Sequence, residues 1–289
     1  MIRPRALPFK CSAVITDVDG TLVNEDKRLT PRAISAVAEL RASGIVFSII
    51  SSRPPLGLRS LLGPLDIASP IGSFNGGVIA APDLSIITEH LLPPAVAKQT
   101  VDMLDAHGIQ VWVFSGQDWL VRDSRAPYVD FEERTVGFPA KIVGDFEASL
   151  LAVDKIVGVS RDFALLARCE SAMRAALADH ASVARSQPYY LDITHPLANK
   201  GVALSDIAKL LDIPLAEIAV IGDGGNDVAM FERSGLSIAM GNANPEVQRA
   251  ADFVTDSNRE EGFANAVERF ILGGRSSTLV ERTRTGGRA

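Results

Sequence analysis

Two kinds of hydrophobic pattern alternate near the start of the chain. Ala13-Val14-Ile15 is brief and apolar at consecutive positions, as a parallel strand buried on both faces should be. Thr30-Pro31 then opens a helix. Threonine can cap its free N–H groups, and proline at the first helical position has no N–H to lose. Ile34, Val37 and Leu40 mark the inner face, and Gly44 ends it. Ile45 to Ile50 is the next buried strand, so the segment predicts a β-α-β unit with a right-handed crossover.

The C-terminal part repeats the pattern. Val202 to Leu211 predicts a helix with Leu204, Ile207, Ala208 and Leu211 on one face. Strands are predicted at Ile218–Ile221, Leu236–Met240 and Phe253-Val254. Helices are predicted at Val228–Arg233, Pro245–Ala250 and Phe263–Leu272. Strands alternating with helices imply a parallel sheet covered on both faces.

The middle reads differently. Helices are predicted at Pro94–His107, Arg125–Val136 and Phe163–His180. Strands are predicted at Ile109–Ser115, Asp118–Arg122, Lys155–Ser160, Ser182–Arg185 and Tyr190–Thr194. Adjacent strands between helices suggest an antiparallel sheet with helices on one face, hence an α+β unit. The expected division is a core of residues 1–82 and 191–272 with an insert at 83–190, hinged near Pro82 and Pro188. Residues 273–289, rich in Gly, Ser, Thr and Arg, are expected to be a mobile tail.

Composition narrows the classes. With 47% hydrophobic and 22% charged residues, the chain is expected to be globular rather than disordered or coiled-coil. A net charge of −6 argues against nucleic acid as the main partner. Cys11, expected as a buried thiol, and Cys169 cannot make a disulfide scaffold. There is no apolar run of membrane-spanning length and no apolar core in the first ten residues. A cytoplasmic protein is expected, monomeric or homodimeric, without nucleic-acid or membrane partners.

The chemistry gathers at predicted strand ends. Asp17-Val18-Asp19-Gly20-Thr21-Leu22 follows the first strand, where open α/β sheets collect ligands. Two carboxylates two residues apart suit a hard divalent cation. A calcium loop starting at Asp17 fails, with Leu22 at position six and Arg28 at twelve. Gly222-Asp223-Gly224-Gly225-Asn226-Asp227 follows another strand. As a calcium loop from Asp223 it also fails, with Val228 and Ser234 at those positions. Ser51-Ser52 closes the Ile45–Ile50 strand, and a hydroxyl with backbone N–H groups there can hold phosphate oxygens. Lys200 opens a helix after Asn199 and can bring a point charge to them.

Together these pieces resemble the haloacid dehalogenase superfamily of phosphohydrolases. Asp17-x-Asp19-Gly-Thr21, Ser51, Lys200 and Gly222-Asp-Gly-Gly-Asn-Asp227 match its four motifs in order. About 150 residues separate Ser51 from Lys200, which matches a type-2 cap. Phe74-Asn75-Gly76-Gly77, Asn199-Lys200-Gly201 and Gly241-Asn242-Ala243 look like elements of its Cof-type phosphatases. One departure is visible: Ser51-Ser52-Arg53 stands where the family usually has Thr-Gly-Arg. Either serine could supply the phosphate-binding hydroxyl.

The resemblance implies a Rossmann-like parallel core with an inserted α+β cap. It implies Mg²⁺-dependent hydrolysis of a small phosphorylated metabolite, such as a sugar phosphate, through an aspartyl-phosphate. Asp17 would be the nucleophile and Asp19 the general acid and base, positioned by Thr21. Asp17, Asp223 and the Asp19 backbone carbonyl would hold the metal. Ser51 or Ser52, Lys200 and Asn226 would bind phosphate, with Asn75 and Asp227 in support. A phosphomutase keeps the same residues, and a non-catalytic phosphate-binding module should have lost Asp17 or Asp19. Arg122, Arg125, Arg161 and Tyr128 of the insert, and His195 just after it, are candidate substrate contacts, whereas Trp112 and Trp119 are expected in the insert's core.

Overall fold

The structure, a computed structural model, describes residues 9–273. The expected tail beyond Gly273 lies outside the described residues. Strand β1 (Ala13–Thr16), helix α1 (Pro31–Ala42) and strand β2 (Val46–Ile49) form the expected β-α-β unit. The Thr30 hydroxyl oxygen accepts from the Ala33 amide at 3.1 Å, and Pro31 occupies the first turn. After the short helix α2 (Arg59–Leu62) come β3 (Ile71–Ser73), β4 (Val78–Ala80) and β5 (Ile86–Glu89), paired antiparallel. The hydrophobic pattern did not predict this small sheet. Its strands are too short to show a period, and glycines interrupt them.

The middle runs α3 (Pro94–Ala106), β6 (Gln110–Ser115), β7 (Asp118–Val121), α4 (Val129–Val136), β8 (Lys141–Ile142), β9 (Lys155–Val159), α5 (Phe163–Leu177), β10 (Ser182–Gln187) and β11 (Tyr190–Thr194). Helix α4 starts later than predicted because Pro127 disfavours helix before it and Tyr128 takes a left-handed φ of 68°. The chain closes with α6 (Lys200–Leu210), β12 (Ile218–Gly222), α7 (Val228–Phe231), β13 (Leu236–Ala239), α8 (Pro245–Ala250), β14 (Phe253–Val254) and α9 (Gly262–Ala266), which continues to Leu272 as a wider turn.

The core sheet has the order β14-β13-β12-β1-β2, with every pairing parallel. Alternation along β1 serves two helical layers. Val14 packs with Ala36, Val37 and Leu40 of α1, while Ala13 and Ile15 pack with Leu204 and Ile207 of α6. The strands are therefore apolar on both faces, and their carboxyl ends share one edge. This is the expected α/β architecture with a Rossmann-like sheet.

The second sheet has the order β10-β11-β9-β6-β7-β8. One face, with Val111, Val113, Leu120, Ile156 and Ile193, packs on α3 and α5. The other carries Trp112, Phe114, Trp119 and Val157 and joins the apolar cluster of the core. Both tryptophans are 1% exposed, as expected of core residues, with rings edge to face at 5.1 Å. Strand β11 pairs with β9, and β5 pairs with β4. His90 and His195, just beyond β5 and β11, stack at 5.5 Å. Pro82 sits in the β4–β5 turn and Pro188 in the β10–β11 turn. Cys11 is half-buried rather than buried, and Cys169 is buried. Among the described residues no helix is long and apolar enough to cross a membrane.

Candidate active site

Parallel register sets the catalytic edge. Thr16 pairs with Ile221, and the Asp17 amide donates to the Ile221 carbonyl at 2.9 Å. Asp17 and Asp223 therefore leave neighbouring strands side by side. The chain turns at Gly20, whose φ is +86°. A Cβ there would collide with the Asp223 carboxylate, so glycine alone lets the two loops close on each other.

Helix α6 brings the opposing charge. Asn199 caps it, accepting from the Gly201 amide at 2.8 Å, and so fixes the turn that carries Lys200. Lys200 is 1% exposed. Its Nζ donates to Asp17 Oδ1 at 2.5 Å and to Asp227 Oδ1 at 2.6 Å. Asp227 Oδ2 accepts from the Asp223 and Gly224 amides at 2.9 and 2.8 Å. Carboxylate oxygens of Asp17, Asp223 and Asp227 all lie within 4.8 Å of one another.

Two buried carboxylates, Asp17 and Asp227, and the half-buried Asp223 face one ammonium. Burial lifts the Asp17 carboxyl well above the usual range. Lys200 pulls it back, but Asp227 and Asp223 push it up again. Burial and Asp227 likewise raise Asp223. Burial works against the Lys200 charge, yet Asp17 and Asp227 outweigh it and hold the ammonium. A cluster of oxygens this short of positive charge fits a hard divalent cation.

Asp19 sits apart from that cluster. Arg53 Nε and Nη2 donate to its two oxygens at 2.7 and 2.8 Å, and Lys27 Nζ lies 2.9 Å away. Burial would raise this carboxyl, but the two cations more than reverse it and bring it down to about 2. Over these groups lies a cavity of about 770 Å³, walled on the far side by Glu132, Lys155, Tyr189 and Asp192.

The family model for haloacid dehalogenase-like hydrolases matches residues 14–267. The chain belongs to that family. A haloacid dehalogenase-like hydrolase from Bacteroides thetaiotaomicron superposes with a TM-score of 0.84 at 30% identity, covering 91% of this chain and 100% of that one. In Bacillus subtilis, the 5-amino-6-(5-phospho-D-ribitylamino)uracil phosphatase YwtE is 27% identical over 92% of this chain and 99% of its own length. Phosphatase YwpJ from the same organism is 25% identical over 89% and 99%. This hydrolase acts on phosphoric monoesters.

The hydrolase brings Asp17, Lys200, Asp223 and Asp227 together as one cluster, buried except at the half-buried Asp223. Its side-chain trio includes Asp227, whereas Asp19, expected on the metal through its backbone carbonyl, turns its carboxylate to Arg53 and Lys27. Thr21 corrects an expectation. Its hydroxyl donates to Asp223 Oδ1 at 3.0 Å, and Asp19 takes its partners from the two cations instead. Of the two serines, Ser52 lines the cavity. Ser51 is fully buried, its hydroxyl oxygen accepting from the Arg53 amide at 3.2 Å. Asn226 donates to Asn75 Oδ1 at 2.9 Å, and Asn75 holds a left-handed φ of 58° beside the site.

Sequence reasoning missed three partners. Arg53 and Lys27 on Asp19 gave no spacing signal. Asn242 donates to the Gly20 carbonyl at 3.0 Å and to Asp223 Oδ2 at 3.2 Å, and only its place in Gly241-Asn242-Ala243 pointed to it. The candidate substrate contacts are corrected outright, since none of the five lines the cavity. Arg122 pairs with Asp105 at 2.6 Å, Arg125 is 91% exposed at its side chain, Tyr128 stacks on Tyr189, and His195 stacks on His90. Arg161 is exposed.

Proposed function

We propose that this phosphatase hydrolyses a small phosphorylated metabolite, a sugar phosphate or polyol phosphate, with Mg²⁺ and through an aspartyl-phosphate. The observation that carries the reading is the buried Lys200 bridging Asp17 and Asp227 on the floor of a metabolite-sized cavity. The relative YwtE, by name, removes phosphate from a ribityl chain, a leaving group of the same chemical kind. The six-stranded sheet with its helices would be the cap. We place its two junctions near His90 and His195, because β5 pairs with core strands and β11 with cap strands.

The Asp17 carboxylate attacks phosphorus, and the bond to the leaving alcohol oxygen breaks. Lys200 neutralises the phosphate oxygens and aims Asp17, while Asp227 aims Lys200. Ser52 would hold phosphate from the β2 side. The leaving oxygen takes a proton from Asp19. Water then attacks phosphorus, its proton returns to Asp19, and Asp17 is released with orthophosphate. Paired with Arg53 and Lys27, Asp19 is a carboxylate at neutral pH, which suits the second half. To act as acid first, it must shed a cation. Lys27, 40% exposed, is freer to leave than Arg53 at 6%. Asp17 and Asp223 would hold Mg²⁺, which would screen the anion–anion repulsion of the attack.

The test is a panel of phosphorylated metabolites with Mg²⁺, reading orthophosphate release. Release from sugar and polyol phosphates is the expected result. Phosphate transfer to a second sugar phosphate without release would establish a phosphomutase instead. No turnover of any ester by folded protein would leave a binding module.

A further inference from the structure

We propose that the cap wall makes this phosphatase selective for esters whose leaving group is a neutral polyol, and that it rejects leaving groups carrying a second anion. The inference rests on the phosphatase reading above.

Strand register builds the wall. Tyr190 and Asp192 pair opposite Val159 and Val157, and Lys155 lies two residues before Val157, so all three share the sheet face that turns to the core. Lys155 Nζ lies 2.6 Å from an Asp192 oxygen, and their side chains are 10% and 8% exposed. Neither Asp192 oxygen accepts a hydrogen bond, although both are buried from solvent. From α4, Glu132 Oε2 accepts from the Tyr190 hydroxyl at 3.1 Å. Arg185, the other cation of this wall, pairs with Glu170 at 2.7 Å.

The wall therefore presents two carboxylates to one lysine, with acceptor oxygens short of donors. Glu132, half-buried and lining the cavity, keeps acceptor capacity beyond the Tyr190 hydroxyl, so a ligand that donates to it gains. Polyol hydroxyls donate. A carboxylate or second phosphate on the leaving group has no proton to give and adds negative charge beside Asp192 and Glu132. The Tyr189 ring, stacked on Tyr128 at 4.3 Å, gives the C–H face of a sugar an apolar surface. The cavity, about 770 Å³, holds a hexose with its phosphate.

The experiment compares kcat/KM within matched pairs: glucose 6-phosphate against 6-phosphogluconate, and glycerol 3-phosphate against 3-phosphoglycerate. Glucosamine 6-phosphate tests a cationic leaving group. Acetyl phosphate, too small to span to the cap wall, reads the core chemistry alone. The wild type should favour the neutral member of each pair by about tenfold or more. In Asp192→Asn and Glu132→Gln that ratio should shrink severalfold. A merely structural defect would lower both members alike and leave the ratio unchanged, which would overturn the proposal. So would neutral and acid members within twofold in the wild type, or glucosamine 6-phosphate, whose cation the same carboxylates attract, rejected about tenfold relative to glucose 6-phosphate. Glu132→Gln leaves the Lys155–Asp192 pair intact and decides the matter if Asp192→Asn does not fold. Failure to hydrolyse acetyl phosphate would instead overturn the phosphatase reading.

Discussion

On the core side of the cavity, carboxylates are tied down. Lys200 binds Asp17 and Asp227, Arg53 grips both oxygens of Asp19, and Thr21 and Asn242 donate to Asp223. On the cap side, Asp192 meets an ammonium but accepts no hydrogen bond. Asp154, just before it reaches β9, has one oxygen buried without a partner. The two regions are built for different work. The proposed mechanism asks the core to present a nucleophile and a base at one set of positions for any phosphate, which charges pre-organised by protein partners would do. In the proposed selectivity the cap meets the variable part of the substrate through Glu132 and Asp192.

If the core cluster is pre-organised chemistry, removing its nucleophile should have the largest effect. Asp17→Asn should lower kcat by about 10³-fold or more. It should not lower the melting temperature, because it removes a buried carboxyl that burial and its acidic neighbours already disfavour as an anion. Orthophosphate release and a thermal melt on the same sample check both halves. Retained turnover would end the assignment of Asp17.

Next in size is the hub. Lys200→Met removes the one cation between Asp17 and Asp227 and should cost about 3–5 kcal/mol, since a buried charge stripped of its partner is far costlier than the pair. Added Mg²⁺ should restore part of the lost melting temperature in the variant, because the freed carboxylates gain a cation. Equal melts with Mg²⁺ and with a chelator, in both proteins, would break the metal reading.

Arg53→Lys sharpens the distinction between Asp19 and its acidic neighbours. Lysine cannot reproduce the two-oxygen grip, so the Asp19 carboxyl should rise from about 2 toward its ordinary 3.8. The sign follows directly. A depressed carboxyl adds stability above its unfolded value and loses it as pH falls through about 2, so the variant should lose part of its advantage above pH 4. The limb of the kcat/KM profile that reports Asp19, whose proton goes to the leaving oxygen in the first half, should move upward with that carboxyl. An unmoved limb would mean Asp19 does not titrate in catalysis.

What could be read from the chain follows the same division. Asp17, Asp223 and Lys200 were legible because each sits next to an element that announces itself: an apolar strand or a capped helix start. In a parallel sheet, strand ends converge whatever the loops do. Arg53 on Asp19 was not legible, because that pair closes across 34 positions through the reach of one side chain. The cap wall was hidden for another reason. Lys155, Asp192 and Glu132 become neighbours only once β9 is paired with β11 and α4 is laid across them. Two of the arginines that look like ligands in the sequence instead pair with nearby acids, Arg122 with Asp105 and Arg125 with Asp123.

Asp154 offers the smallest and cleanest contrast. It is 1% exposed, its Oδ2 accepts from the Gly116 amide at 2.7 Å, and its Oδ1 has no partner. Burial raises its carboxyl to about 7. The Gly116 amide works the other way, and Glu89 pushes it further up. A raised carboxyl favours the protonated form in the folded state. Its contribution is therefore full below the ordinary carboxylate value and lost as pH rises through about 7. Asp154→Asn keeps the acceptor for Gly116 but cannot ionise, so it should gain on the wild type by about 2 kcal/mol between pH 5 and pH 8. Thermal melts at those two pH values read the difference. A gap that stays constant would mean Asp154 finds a donor in solution, and the middle segment would then hold its buried acids as securely as the core does.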